Sequence, residues 1–164
     1  MTLSRFGFAK TLHVDLSVPG REERGVLRTD IRLGAHLVVH VFNAHLGTGH
    51  LERRQQAKRL LDHDLLKALD ISGSRIMLGD FNEWTRGLVT HTLAREFHLT
   101  DLRVHLPRLR AYPFGLPLLS LDHIYYDHHF HVERAHFSRN RYSLLASDHL
   151  PLVADMSIND SVGS

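Results

Sequence analysis

The heptapeptide Leu78-Gly79-Asp80-Phe81-Asn82-Glu83-Trp84 directly follows the mainly apolar run Arg75-Ile76-Met77. An apolar run that stops at Gly-Asp is typical of a buried strand that ends at the edge of a sheet. Asp80 and Asn82 lie two residues apart, so both side chains can turn into one cleft as the chain leaves the strand. A carboxylate beside a carboxamide suits a site that holds a divalent cation and a phosphate oxygen together. Because Asp-x-Asn also forms ordinary turns, the rest of the chain must decide between the two interpretations.

The composition is that of an ordinary globular domain. The chain has 164 residues, of which 43% are apolar and 23% are charged. This length predicts a single domain over residues 1–158, followed by a polar tail at 159–164. The absence of cysteine excludes disulfides, thiolate nucleophiles and Cys-ligated zinc. No run is apolar and long enough for a membrane span, and no signal-peptide pattern is visible, so we expect a cytoplasmic location.

The charge pattern gives little support for binding to nucleic acid. The formal net charge is only +2, although the chain contains 15 histidines. The basic segment Arg103–Arg110 is more typical of a solvated loop than of a nucleic-acid groove. Nucleic acid therefore remains a possible partner that the charge does not favour, and the sequence leaves the oligomeric state open.

Apolar periodicity predicts a mixed α/β layered fold. Gly34 separates two of the strands so closely that we expect a hairpin there. Residues Leu99–Pro117, which contain three prolines, are expected to form an irregular surface loop. The predicted strands are Thr11–Val18, Val26–Leu33, Ala35–His45, Arg75–Gly79, Leu121–Tyr126, His131–Phe137 and Leu152–Ile158, and the predicted helices are His50–Leu69 and Leu88–Phe97.

Polar clusters recur at the ends of four predicted strands. They are Asn43-Ala44-His45, Asp80-Phe81-Asn82, Asp122-His123 and Ser147-Asp148-His149. Strand ends are where layered α/β proteins form their ligand clefts, so the recurrence weighs more than any one motif. The residue types suit hydrolysis of a phosphate ester, which needs a cation, donors to the phosphoryl oxygens and a base that activates water.

Each cluster can be given a role in that reaction. Asp148 is a candidate metal ligand, and His149 is a candidate base or phosphate donor. Asp122 can orient and charge-stabilise such a histidine. Asp80 and Asn82 can position the attacking water or stabilise the leaving oxygen.

Simpler interpretations compete with these roles. Asp148 alone can cap a turn before Pro151, and His45 alone can be a hydrogen-bonded core histidine. A zinc cluster is disfavoured because its candidate histidines cross a short turn without a supporting ligand pattern. These histidines are His123, His128, His129 and His131.

Four motifs resemble, in order, those of the endonuclease/exonuclease/phosphatase superfamily. They are Asn43-Ala44-His45-Leu46-Gly47, Gly79-Asp80-Phe81-Asn82, Ser120-Leu121-Asp122-His123-Ile124 and Ala146-Ser147-Asp148-His149-Leu150-Pro151-Leu152. The resemblance implies a four-layer α/β sandwich whose site lies at the strand ends between two sheets. It also implies a Mg²⁺-dependent (or Mn²⁺-dependent) hydrolase of phosphate esters, most simply a phosphodiesterase.

The resemblance assigns the site residues by motif. His45 matches the catalytic histidine that contacts the scissile phosphate, with Asn82 and His149 as further phosphate-binding groups. Asp80 and Asn82 match the pair that handles nucleophile and leaving group. Asp122 matches the carboxylate paired with the second histidine, here His149. Asp148 matches a metal-site carboxylate, and Asp80 and Asn82 complete the metal ligands that the resemblance offers.

The chain departs from the family pattern at its start. Family members carry an Asn-containing strand and a Gln-Glu metal-ligand motif upstream of the segment that resembles Met1–Phe8. On this basis the domain is expected to be N-terminally truncated, to bind the metal ion weakly and to have little activity. A non-catalytic remnant or binding module of the same fold is the alternative, and a histidine-rich metal-storage protein is another. Lipid, nucleic acid and small phosphorylated substrates remain open, with a small lean towards apolar groups from the segment Tyr112–Pro117.

Overall fold

We analysed a computed structural model, which describes residues 1–62, 65–66, 71, 73–83, 87–106, 121–138, 140–146 and 150–159. The elements in these residues are, in chain order, β1 (Phe8–Asp15), β2 (Gly25–Arg32), β3 (Val38–His45), α1 (His50–Asp62), β4 (Ser74–Asp80), α2 (Leu88–Glu96), β5 (Thr100–Asp101), a 3₁₀ helix (Leu102–His105), β6 (Asp122–Tyr126), β7 (Phe130–Phe137), α3 (Arg141–Ala146) and β8 (Leu152–Ile158).

Six strands form one sheet in the order β1-β2-β3-β4-β6-β5, and β7 and β8 form a separate antiparallel pair. β3 and β4 run parallel, whereas β4 and β6 run antiparallel. The carboxyl ends of β3 and β4 and the start of β6 therefore lie at the same edge of the sheet. This edge carries three of the four polar clusters that the sequence places at strand ends.

The two faces of the large sheet pack against different layers. Phe42, Ala44 and Met77 face α1 and α2, where they join Leu60 and Leu93 in one buried cluster. On the opposite face, the second cluster is formed by side chains of the large sheet and of β7 and β8, with Leu102 from the 3₁₀ helix. The sheet residues in it include Val39, Val41, Ile76, Leu78 and Ile124. Because strand side chains alternate between faces, one strand supplies both clusters. The predicted α/β layering is confirmed.

The β2–β3 hairpin is also confirmed, with Arg32 paired to Val38 next to the turn. Its second strand begins at Val38 rather than at Ala35, because residues 34–36 form the turn itself. The predicted helix His50–Leu69 ends at Asp62 as α1, and most of the remainder lies outside the described residues.

One further prediction is wrong, and one helix was missed. The expected irregular loop Leu99–Pro117 begins with β5 and the 3₁₀ helix, because Thr100 and Asp101 pair with β6 and Leu102 is fully buried. Residues 107–117 of that loop lie outside the described part of the chain. Helix α3 was not predicted, although Asn140 accepts a hydrogen bond from the Tyr142 N–H at its start. Such an Asn is a recognised helix-start signal.

Among the described residues, no helix is long and apolar enough to cross a bilayer.

We predict that Gly79→Ala destabilises the fold by about 2 kcal/mol or more. Gly79 has φ of +132°, and a Cβ at this position would collide with the carbonyl oxygen of Ala44 on β3. That oxygen belongs to the paired backbone, so it cannot move aside without disturbing the sheet. Urea unfolding measures the change. Gly34→Ala is the control, because nothing lies within 4 Å of a Cβ there. Equal midpoints for the two variants would contradict the prediction.

Candidate functional site

Three of the predicted site residues lie side by side in one row across the sheet. Asp80 at the end of β4 pairs with His45 at the end of β3 and with Asp122 at the start of β6. Side chains of paired residues point to the same face, here the face that packs against β7 and β8. Asp80 Oδ2 lies 3.7 Å from His45 Nε2, with His45 56% and Asp80 24% exposed. The sheet register thus assembles a histidine and two carboxylates that are 35 to 77 residues apart in sequence.

Asn82 is held beside this row by two hydrogen bonds. Its backbone N–H donates to Asp80 Oδ1 at 2.9 Å, and its Nδ2 donates to the carbonyl oxygen of Leu46 at 2.8 Å. The Leu46 N–H in turn donates to the Asp80 carbonyl at 2.9 Å. Asn82 has φ of +50°, a left-handed conformation that asparagine tolerates better than most residues. These contacts join the loop after β3 to the loop after β4.

The fourth predicted cluster, Ser147-Asp148-His149, lies outside the described residues, as does Trp84. The roles of Asp148 and His149 and the pairing of Asp122 with His149 therefore remain predictions. Asn43, at the first cluster, donates through Nδ2 to the carbonyl oxygen of Met1 at 2.8 Å.

The histidines weighed as zinc ligands lie at opposite ends of β6. His123 is next to the site edge, whereas His128 and His129 follow the far end of the strand, where His129 Nδ1 lies 3.1 Å from Asp127 Oδ1. Across the described residues, no three His, Asp or Glu side chains are grouped closely enough to hold one metal ion.

His123 is a buried residue of the helix-facing side, not a ligand exposed in the cleft. Its ring is 1% exposed and stacks on Tyr125 with 5.5 Å between centroids. Nε2 lies 3.3 Å from the Glu83 carbonyl oxygen, and Nδ1 lies 2.9 Å from the Tyr125 hydroxyl. Burial lowers the pKa of His123, and the nearby Arg103 charge lowers it further. We therefore assign a neutral ring, in which Nε2 donates to Glu83 because a carbonyl oxygen can only accept.

A buried polar group around Glu83 supports the loop after β4, and the sequence analysis gave it no role. The Glu83 carboxylate, 4% exposed, accepts hydrogen bonds from Val89 N at 2.9 Å, Thr90 N at 3.1 Å and Thr90 Oγ1 at 2.8 Å. Thr90 Oγ1 also lies 2.8 Å from the Tyr125 hydroxyl, and burial raises the pKa of Tyr125 far above its usual range. One signal was visible in the sequence: an acidic residue shortly before a helix whose own N-cap position, Gly87, has no side chain.

A second buried amide supports the loop after β3. Gln56 on α1 is fully buried, and its Oε1 accepts a hydrogen bond from the Gly47 N–H at 2.9 Å. The loops after β3 and β4 are therefore each fixed by a buried polar side chain that does not belong to the row of His45, Asp80 and Asp122.

A cavity of about 400 Å³ lies beside Asp122, between the large sheet and the start of β8. Asp122 is its one carboxylate among the described residues. The other side chains of the wall are mostly aliphatic, and they include Leu78, Ile124, Leu150, Pro151 and Leu152. The site therefore borders a space that is polar at one end and apolar along its wall.

The described residues supply only part of a metal site. Asp80 and Asn82 carry the oxygen donors that Mg²⁺ prefers, and they come from the end of β4 and from the loop that follows it. One Asp80 oxygen already accepts the Asn82 N–H, and His45 Nε2 lies 3.7 Å from the other, but no three His, Asp or Glu side chains of the described residues could hold one metal ion. A complete coordination shell would need further donors.

The structure thus combines a layered α/β fold with acidic, amide and imidazole groups at adjoining strand ends. The sequence profile of the endonuclease/exonuclease/phosphatase family matches residues 1–149. The chain belongs to this family, whose members hydrolyse phosphate esters and generally use divalent metal ions.

Individual relatives are consistent with that assignment. The chain is 32% identical to the uncharacterized protein YbhP of Escherichia coli K12 over 166 aligned positions, covering 95% of this chain and 61% of that protein. It thus spans less than two thirds of the length of the curated relatives that it matches.

Solved structures show the same fold. An endonuclease/exonuclease/phosphatase from Beutenbergia cavernae matches with a TM-score of 0.72 and 24% identity, over 94% of this chain and 46% of that one. A mannosyl-6-phosphatase of Bacteroides thetaiotaomicron matches with a TM-score of 0.69 and 17% identity, over 93% of this chain and 67% of that one.

The lowered pKa of His123 predicts that it contributes to acid sensitivity of the fold. The unfolded chain binds a proton at this histidine near pH ~6.5, while the folded chain does so only at lower pH. The contribution of neutral His123 is thus complete above that value and is lost as pH falls from it through the folded pKa. In urea unfolding over this window, His123→Gln should show a shallower fall of stability with decreasing pH than the wild type. Parallel curves would contradict the assignment of a neutral buried ring.

Proposed function

We propose that this chain is a divalent-metal-dependent hydrolase of phosphate esters, acting on phosphodiesters. The observation that carries the proposal is the row of His45, Asp80 and Asp122, with Asn82 held beside it by Leu46. These groups come from three strands that meet at one open edge. Family membership over residues 1–149 supports the same reaction class.

The residues divide the chemistry among them. His45 and the Asn82 amide would donate hydrogen bonds to phosphoryl oxygens, which gain charge in the transition state. His149 would take the proton of the attacking water, and Asp122 would orient and charge-stabilise that histidine. Asp80, beside His45, would orient the nucleophile or stabilise the leaving oxygen.

Mg²⁺ or Mn²⁺ is the proposed cofactor, held by Asp80, Asn82 and Asp148. When bound, the ion would neutralise the charge that develops on the phosphoryl group. Two carboxylates and an amide form a sparse ligand set for an octahedral ion, so we expect weak binding with several water ligands.

The proposed substrate is a phosphodiester with an apolar substituent. The aliphatic wall of the cavity beside Asp122 suits such a group, and the net charge of +2 gives little attraction for a polyanion such as DNA. One protein of the same fold is a mannosyl-6-phosphatase, which shares 17% identity with this chain.

A second candidate is a phosphate-binding module without turnover. It is favoured by the sparse metal ligands of the described residues, where no three His, Asp or Glu side chains could hold one ion. The two candidates differ in one measurable respect, because only the hydrolase releases product.

We predict slow Mg²⁺-dependent release of p-nitrophenolate from bis(p-nitrophenyl) phosphate, which EDTA stops and added Mg²⁺ restores. His45→Ala and Asp80→Asn should each lower kcat by on the order of 10²-fold or more, because each removes a group that acts in the transition state. His36→Ala is the matched control, since His36 is an exposed histidine in the turn at the opposite end of β3.

Turnover that survives EDTA, or that is equal in His45→Ala and His36→Ala, would contradict the proposed site. Binding of inorganic phosphate without any turnover, lost in His45→Ala, would instead select the non-catalytic module.

A further inference from the structure

We propose that Glu83 is a positioning residue of this site, which fixes Asn82 by fastening the loop after β4 to two other elements. The inference rests on the proposed function, because Asn82 matters only if it handles a phosphoryl group. Glu83 itself does not face the row of His45, Asp80 and Asp122; it acts from the helix side of the sheet.

The first attachment is to α2. This helix begins at Leu88 with Gly87 as its N-cap, which offers no side-chain acceptor. The first N–H groups of a helix need acceptors, and a carboxylate there is further favoured by the helix dipole. Glu83 accepts two of these N–H groups, from Val89 at 2.9 Å and from Thr90 at 3.1 Å, and it also accepts the Thr90 hydroxyl at 2.8 Å. Glu83, a residue of the loop after β4, therefore caps α2, so a displacement of this loop would also displace the start of the helix.

The second attachment is to β6. The Glu83 carbonyl oxygen lies 3.3 Å from Nε2 of His123, the residue next to Asp122. His123 is held in turn by the Tyr125 hydroxyl at 2.9 Å, which lies 2.8 Å from Thr90 Oγ1. The side chain and the backbone of Glu83 thus belong to one closed group that includes α2 and β6. This group links the residue after Asn82 to the residue after Asp122.

The loop needs this support because Asn82 is in a left-handed conformation with φ of +50°. Such a conformation is costly for a residue with a Cβ and persists only where the surroundings enforce it. Asp80 and Leu46 hold Asn82 on its N-terminal side. Glu83 is the next residue and holds the C-terminal side. Releasing Glu83 would let the loop relax and would move the Asn82 carboxamide away from Leu46.

Gly87 gives an independent way to disturb the same group. A Cβ at Gly87 would collide with Glu83 Oε1, and the backbone there has φ of −94°, which alanine adopts without strain. Gly87→Ala should therefore displace the Glu83 carboxylate while leaving every charge in the protein unchanged.

Asp127 provides the matched control. It is a fully buried carboxylate beyond the far end of β6, where it accepts hydrogen bonds from Arg75 N at 2.8 Å and His129 N at 3.1 Å. Asp127→Asn removes a buried carboxylate with backbone partners, as Glu83→Gln does, but at the opposite end of the strands from the site.

The experiment compares the wild type, Glu83→Gln, Gly87→Ala and Asp127→Asn by two measurements at a temperature where each remains folded. The first is hydrogen exchange of the Asn82 side-chain amide, observed by NMR with ¹⁵N-labelled asparagine and assigned with Asn82→Asp. The second is kcat and KM for Mg²⁺-dependent hydrolysis of bis(p-nitrophenyl) phosphate. The first measurement does not depend on activity.

We expect Glu83→Gln and Gly87→Ala to speed exchange of the Asn82 amide by about tenfold or more, which corresponds to loss of one hydrogen bond. Both should lower kcat on the order of 10²-fold, the effect of misplacing a catalytic group by about 1 Å. KM should change little, and Asp127→Asn should leave both quantities near the wild-type values despite its loss of stability.

The positioning role is overturned if Glu83→Gln and Asp127→Asn match in amide exchange, because Glu83 would then be a structural residue only. If the wild type shows no turnover but its Asn82 amide responds to Glu83→Gln alone, the proposed function fails while the positioning of Asn82 stands. If Glu83→Gln does not fold, Gly87→Ala decides: slow, wild-type exchange in that variant contradicts the inference.

Discussion

The backbone pairing of β4 with β3 on one side and β6 on the other is the constraint on which the site depends. β4 runs parallel to β3 and antiparallel to β6, so the register sets Asp80 against His45 and against Asp122 at once. A shift of one residue would turn Asp80 to the opposite face and separate it from both partners. Gly79 secures this register, because the backbone of β3 approaches it too closely for any side chain and its φ is +132°. The sheet therefore determines which groups meet, before any loop is considered.

The loops that extend this row are each held by a buried polar side chain of a neighbouring element or of the loop itself. Gln56 accepts the Gly47 N–H after β3, and the Glu83 carboxylate accepts the first N–H groups of α2 after β4. A buried polar group left without a partner costs about 1–3 kcal/mol. Loop conformations that break one of these contacts are therefore disfavoured, and each contact specifies one loop geometry. The carboxamide of Asn82 then joins the two loops through Leu46. Under the proposed function, groups held in this way would need little reorganisation on phosphate binding, which is the condition for electrostatic stabilisation of a transition state.

Much of this arrangement could be predicted from the sequence, because strand periodicity and the polar ends of strands are local signals. The positions of β2, β3 and β4 followed from apolar runs bounded by glycine, that of β6 followed from an apolar run before a polar turn, and the clusters at the strand ends indicated one edge of a sheet. The buried hydrogen bonds that support the site could not be predicted. Glu83 accepts bonds from residues six and seven positions later, and His123 depends on Tyr125, Thr90 and Glu83 together. Such contacts follow from tertiary packing, for which a single sequence has no periodic signal. β5 was missed for the same reason, since its two residues are ordered only by pairing with β6.

A crystal structure of the protein soaked with Mg²⁺ and inorganic phosphate tests the central claim most directly. If the row formed by β3, β4 and β6 is a phosphoryl site, phosphate will lie within hydrogen-bond distance of His45 and Asn82, and the metal ion will be bound by Asp80. Phosphate bound elsewhere on the protein, with His45 and Asp80 free of both ligands at saturating concentrations, would contradict this account of the site.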